Sequence, residues 1–148
     1  MSYHFYGSAF SGTLPSREPY SWIHSPRELY DVLSKLWCAE TCAPRLRKEW
    51  TNENKTLGQC SITSFLAQDV FGGKVYGIAL EDGNFHCYNV VGNCVFDLTS
   101  EQFGDKAASL NYENNPEQFR QVHFAKEEKR LRYEILKQKL DSYCSAEK

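Results

Sequence analysis

The sequence predicts an α+β fold: a central helix carrying Cys60 packed against an antiparallel meander sheet, with flanking N- and C-terminal helices. Three observations predict it. Ile62, Phe65, Leu66, Val70 and Phe71 recur at helical steps between Gly58 and the stop Gly72-Gly73. Three short β-branched and aromatic runs follow, separated only by turn residues, which leaves no room for the crossover that parallel strands need. Apolar stripes at steps of three and four also recur near both ends of the chain.

Each element has its own signal. Residues 1–24 mix Tyr3, Phe5, Tyr6 and Phe10 with Gly7, Gly12 and Pro15 and keep no period, so they read as an irregular arm with burial potential. Ser25-Pro26-Arg27-Glu28 is a capping box with proline at the first helical position, and Leu29, Val32, Leu33, Leu36 and Trp37 then predict a helix over 25–40. Residues 41–57, with Pro44, basic residues and a polar run, read as a loop leading to the Cys60 helix. Residues 74–80 and 85–91 flank the turn residues Glu81-Asp82-Gly83-Asn84 and form a hairpin. Gly92-Asn93 is a two-residue turn into a third strand at 94–98, and Thr99-Ser100 caps a short helix towards Phe103. After the loop 111–116, residues 117–143 read as a helical segment, with Tyr133, Leu136, Leu140 and Tyr143 on one face and alternating charges between them.

With 148 residues, 41% of them hydrophobic and 14% aromatic, the chain suits a single domain over 1–148 and is too apolar to stay disordered. A formal net charge of -2 lacks the basic field that nucleic-acid binding draws on, so no nucleic-acid partner is expected. No run approaches the roughly 18 apolar residues of a membrane span, and Met1 to Phe10 lacks a basic-then-apolar leader. A cytoplasmic location without membrane partners is expected, and in it the six cysteines are thiols. Cys38, Cys42, Cys87, Cys94 and Cys144 read as small buried hydrophobes. Zinc fits poorly, because Cys38, Cys42 and His86-Cys87 match no common finger spacing and the deaminase pattern is absent, so neither a metal nor a cofactor is expected.

Cys60 differs from the other five. A thiol at a helix N-terminus feels the partial positive charge of unpaired N–H groups, which favours the thiolate. Gly58 permits the sharp entry into the helix, and the Cys60 N–H is free to donate to a developing oxyanion. A nucleophile also needs a base and an orienting group, for which His86 and Asp97 are the candidates. With Gly92-Asn93 as a two-residue turn, Val91 opposes Cys94, and counting outwards Val90 opposes Val95, Tyr88 opposes Asp97 and His86 opposes Thr99. His86, Tyr88 and Asp97 then share one face, and Asn89 lies on the other. Diagonal neighbours lie about 7–8 Å apart, within reach of a carboxylate and an imidazole. Packing that face over the start of the Cys60 helix would assemble a Cys60–His86–Asp97 triad. His4, His24 and His123 have no carboxylate at a useful spacing.

The set Trp50, Gly58-Gln59-Cys60, Phe71-Gly72-Gly73, His86-Cys87-Tyr88-Asn89 and Asp97-Leu98-Thr99 followed by Gln102-Phe103 resembles the YunG-like family of small bacterial proteins. Helix, strand, strand in the order Cys, His, Asp also resembles the core of the transglutaminase-like, papain-related cysteine fold, over about residues 50–103. Ser61 stands where transglutaminases have Trp, and the interval from His86 to Asp97 is shorter than theirs. The resemblance implies a papain/transglutaminase-like core and the triad, and leaves the substrate open. Gln59 is a candidate oxyanion donor or a solvent-facing loop residue, Trp50 a pocket wall or a loop anchor, and Tyr88 a pocket candidate or packing. The function expected is a thiol acyl enzyme, an amide or peptide hydrolase or acyl transferase acting on a peptide- or amide-containing substrate. The alternative is a catalytically idle binding or interaction module on the same scaffold, separable by thiol labelling.

Overall fold

The computed structural model describes residues 3–147; Met1 and Ser2 of the expected arm, and Lys148, lie outside them. Ser25 caps the first helix, α1 (Pro26–Leu33), by accepting a hydrogen bond from the Glu28 N–H at 3.2 Å. α1 stops seven residues short of the expected end at 40. Ser34 Oγ donates to the Asp31 carbonyl at 2.8 Å, and the N–H groups of Leu36 and Trp37 both bond Leu33 O at 2.8 Å, which turns the chain inward. Trp37 is thereby buried, its indole N–H donating to Thr63 Oγ1 at 3.0 Å. Two 3-10 turns, Ala39–Thr41 and Pro44–Glu49, occupy the expected loop.

The second helix, α2 (Cys60–Phe71), runs between the expected limits. Ile62, Phe65, Leu66, Ala67 and Val70 are wholly buried in it, and Gly72 ends it with φ +80°, a backbone that glycine adopts without strain. The strands β1 (Lys74–Ala79), β2 (Phe85–Val91) and β3 (Cys94–Phe96) form the expected antiparallel meander. β3 pairs Val91 with Cys94, Val90 with Val95 and Asn89 with Phe96, the register a two-residue turn dictates. β3 ends two residues early, and on its outer edge the N-terminal arm takes over, the Asp97 N–H donating to Tyr6 O at 2.9 Å.

Residues 117–143 are not one helical segment. β4 (Glu117–Gln118) adds a fourth strand beside β1, giving the order β3-β2-β1-β4. Gly77 admits it: the Gln118 side chain lies where a Cβ on Gly77 would sit, 2.8 Å from its Cδ, and the Gly77 N–H donates to Pro116 O at 3.0 Å. The chain then forms α3 (Arg120–His123) and, after a break, α4 (Glu127–Glu147). The segment after Thr99, expected as a capped short helix, is instead 3-10 over Ser100–Ser109 with a kink at Gly104.

The two faces of the sheet have different partners. α2 packs on the face of Val75, Cys87, Asn89 and Phe96, where Asn89 Nδ2 donates to Ser64 O at 2.8 Å and Phe96 meets Phe71 edge to face. α4 closes that core with Leu136 and Leu140, and α1 and the arm add Leu29, Leu33, Phe5 and Ile23. The opposite face carries an aromatic layer in which Tyr88 packs on Tyr76 and Tyr112, and Tyr112 stacks on Tyr6.

Candidate active site

His86 projects from the aromatic face and is wholly buried, with the Phe103 ring edge-on at 4.7 Å. Its Nε2 lies 2.6 Å from Oδ2 of Asp97, a carboxylate 1% exposed. Asp97 is held on every side. Oδ2 also accepts from the Tyr112 hydroxyl at 2.7 Å, and Oδ1 from the Thr99 N–H at 3.2 Å and the Thr99 hydroxyl at 3.4 Å. These donors keep the carboxylate fixed against one edge of the imidazole. His86 Nδ1, on the other edge, is buried without a hydrogen-bond partner.

The Cys60 helix does not pack over the His86 face, as the sequence suggested. That face is covered by Phe103 and Tyr112, and α2 lies on the Asn89 face. Cys60 instead approaches along the edge of β2. In a two-residue hairpin Val91 and Asn89 face their partner strand with their backbone groups, so by parity Cys87 and Phe85 face the same side. β3 has already ended there, and the vacated edge receives the start of α2: Cys60 Sγ lies 3.8 Å from Phe85 O. The shortness of β3 thus makes room for the thiol beside His86.

The electrostatics follow from this placement. Burial pushes the Cys60 thiol up, but the neighbouring His86 imidazole, together with the Cys87 N–H and the Lys129 ammonium, brings it below the usual thiol range. Burial works against a charged His86, yet the charge and hydrogen bond of Asp97, with a smaller part from Cys60, raise it to about 10. Both shifts run in the direction that favours a thiolate and imidazolium over a thiol and neutral imidazole. α2 has no side-chain cap, so its first N–H groups, including those of Cys60 and Ser61, have no partner within the helix.

Cys60, Ser61 and His86 open on a cleft of about 540 Å³. Leu57, Phe85 and Phe103 give it apolar walls, and Arg45, Lys126, Lys129 and Arg132 give it basic ones. Gln102 also lines it, its amide oxygen accepting the Gly58 N–H at 3.3 Å and its amide nitrogen donating to Thr99 O at 3.1 Å. Three residues singled out in the sequence lie elsewhere. Gln59 is neither in the cleft nor in solvent: it is wholly buried and donates to Cys38 O at 3.1 Å, anchoring the loop before Cys60. Trp50 donates to Lys55 O at 3.0 Å within its own loop. Tyr88 shares the His86 face but is taken up in the aromatic layer, its hydroxyl donating to Tyr112 O at 3.1 Å.

Sequence reasoning missed Tyr112, Gln102, Phe103 and Lys129. Gln102-Phe103 stood in the resemblance without a role, Lys129 was one charge on a helix of alternating charge, and Tyr112 lies in a loop without a period. Among the described residues no three His, Cys, Asp or Glu side chains gather as a metal site, and no helix is long and apolar enough to cross a membrane.

The comparisons with known proteins agree on one family. A family model described as YunG protein matches residues 25–145. The protein described as "Uncharacterized protein YunG" from Bacillus subtilis (strain 168) is 32% identical over 85 residues, covering 57% of this chain and 66% of that protein, slightly less than two thirds of its length. No solved structure matches the chain. The family match runs from the cap of α1 through both partners of the cleft and nearly all of α4, and the chain belongs to the YunG protein family.

Proposed function

We propose that this protein is a thiol acyl enzyme, an amide or peptide hydrolase or acyl transferase working through a covalent thioester on Cys60. One observation carries the reading: His86 offers an unpartnered buried Nδ1 beside a thiol at an uncapped helix start, while its Nε2 is held by a fully bonded Asp97. In the resting pair the proton is on His86. The Cys60 thiolate attacks the carbonyl carbon, forming the C–S bond, and the N–H groups at the start of α2 receive the oxyanion. Nδ1 passes its proton to the leaving amine as the C–N bond breaks. Water or an acceptor amine then gives a proton to Nδ1 and attacks the thioester, and the sulfur leaves as thiolate. Asp97 orients the ring throughout and stabilises its charge. The order helix, strand, strand for Cys, His and Asp supports a transglutaminase-like, papain-related core.

The test is a single-turnover burst with 4-nitrophenyl acetate, with the acyl adduct read by intact mass. The wild type is expected to acylate at Cys60 and Cys60→Ala to give no adduct. Asp97→Asn is expected to lose roughly 10³–10⁴-fold in acylation rate while keeping its far-UV spectrum, because the amide favours the wrong imidazole tautomer. A folded wild type without a burst would leave the idle binding module as the better reading.

A further inference from the structure

The charges lining the cleft do not balance. Arg132 is 5% exposed and bonds Glu128 at 2.8 Å, and Arg45 faces Asp82 at 3.9 Å. Lys126 and Lys129 line the same cleft, and among the described residues neither has a carboxylate within ion-pair distance. Lys129 is half-buried, and its Nζ donates to His123 Nδ1 at 2.9 Å. On the far side of that ring, His123 Nε2 lies 2.8 Å from Gln118 Oε1, whose own amide nitrogen is turned to Pro116 O at 3.3 Å. An amide oxygen only accepts, so Nε2 carries the proton and Nδ1 offers its lone pair. His123 is therefore a neutral clamp: it holds the ammonium of this cleft-lining residue without cancelling its charge. Burial lowers the pKa of Lys129, against the pull of the Cys60 and Cys87 sulfurs.

A partly buried cation without a counter-charge costs free energy that an anion in the cleft would offset. The Cys60 thiolate is one such anion, but acylation converts it to a neutral thioester and leaves Lys129 unpaired in the intermediate. We propose that the acyl donor carries a carboxylate, received by Lys129 with the exposed Lys126 beside it. This rests on the acyl-enzyme reading above and adds the charge of its substrate. A single clamped ammonium matches a monoanionic carboxylate better than a phosphate dianion.

Paired alkylation with iodoacetate and iodoacetamide tests both levels, because the reagents differ in charge and share the leaving group. The iodoacetate-to-iodoacetamide rate ratio at native Cys60 is expected to be about tenfold above that of the urea-unfolded chain, and Lys129→Gln to return it to the unfolded value. Succinate should protect Cys60 more than inorganic phosphate at equal ionic strength. A ratio that Lys129→Gln leaves unchanged would mean that Lys129 serves the thiolate alone, and would overturn the carboxylate proposal while fast iodoacetamide labelling kept the nucleophile. Better protection by phosphate overturns it too. Iodoacetamide labelling of Cys60 no faster than that of the other five thiols would instead remove the acyl-enzyme reading, and the proposal with it.

Discussion

Asp97 accepts three side-chain or backbone donors besides the imidazole, and the Tyr112 hydroxyl shares Oδ2 with His86. Burial and the Asp97 charge push the Tyr112 phenol far up, so it remains a donor throughout the working pH range. Each donor spreads the negative charge of Asp97 and weakens its hold on the proton at His86. Tyr112→Phe keeps the rings packed against Tyr6 and Tyr88 and removes only this donor. The upper limit of the acylation profile, where His86 loses its proton, is therefore expected to move to higher pH. Stability is expected to fall by about 1–3 kcal/mol, as for a hydrogen bond to a charged group. A downward move would mean that Tyr112 acts on His86 by another route. The His86–Asp97 contact was legible in the sequence because a two-residue turn fixes parity along both strands. Tyr112 was not, since it reaches Asp97 from an aperiodic loop.

At the scale of elements, two glycines at positive φ mark opposite demands. Gly92 has φ +58° in the turn between β2 and β3, and a Cβ there would meet nothing within 4 Å. Gly58 has φ +71°, and a Cβ there would meet Cys42 Sγ at 2.5 Å and Ala43 N at 2.9 Å. The Gly58 carbonyl also accepts from Ala43 N at 3.0 Å and from Arg132 Nη1 at 3.4 Å, which ties the entry of α2 to α4. Gly92→Ala is expected to cost about 1 kcal/mol, the backbone strain alone, and to leave the rate of Cys60 alkylation unchanged. Gly58→Ala adds steric overlap to that strain and is expected to cost about 2–4 kcal/mol and to slow Cys60 alkylation, because the shifted loop carries the thiol away from His86. Equal effects of the two on the alkylation rate would detach the loop from the site. Both turns were legible as glycine punctuation. β4 was not, because its two residues are selected by the open edge at Gly77 rather than by any pattern of their own.

For the whole molecule, the coupled pair sets how stability follows pH. Between about 6.5 and 8.5 the unfolded chain holds one proton on the two groups, as thiol and neutral imidazole, and with the proposed thiolate–imidazolium pair, which the lowered Cys60 and raised His86 favour, the folded chain also holds one. Equal proton counts mean no slope from the pair in that window. Below about 6.5 the unfolded imidazole gains a proton that the folded pair already has on His86 and refuses on Cys60, so stability falls with falling pH. His123 adds to this, since burial holds it down at about 4 and the unfolded state binds its proton first. Above about 8.5 the unfolded thiol ionises, and stability declines towards about 10, where folded His86 loses its proton. Cys60→Ala changes the count in both lower windows: below about 6.5 it removes the pair's slope, and between about 6.5 and 8.5 it introduces one. Asp97 is the larger source of the raised His86 value, so the folded variant keeps its imidazolium while the unfolded chain is neutral. Urea unfolding from pH 6.5 to 8.5 is therefore expected to be flat for the wild type and to decline for Cys60→Ala, by at most about 1.4 kcal/mol per pH unit. Parallel curves would show that Cys60 stays a thiol beside His86, and would take from the site the ion pair on which its nucleophile depends.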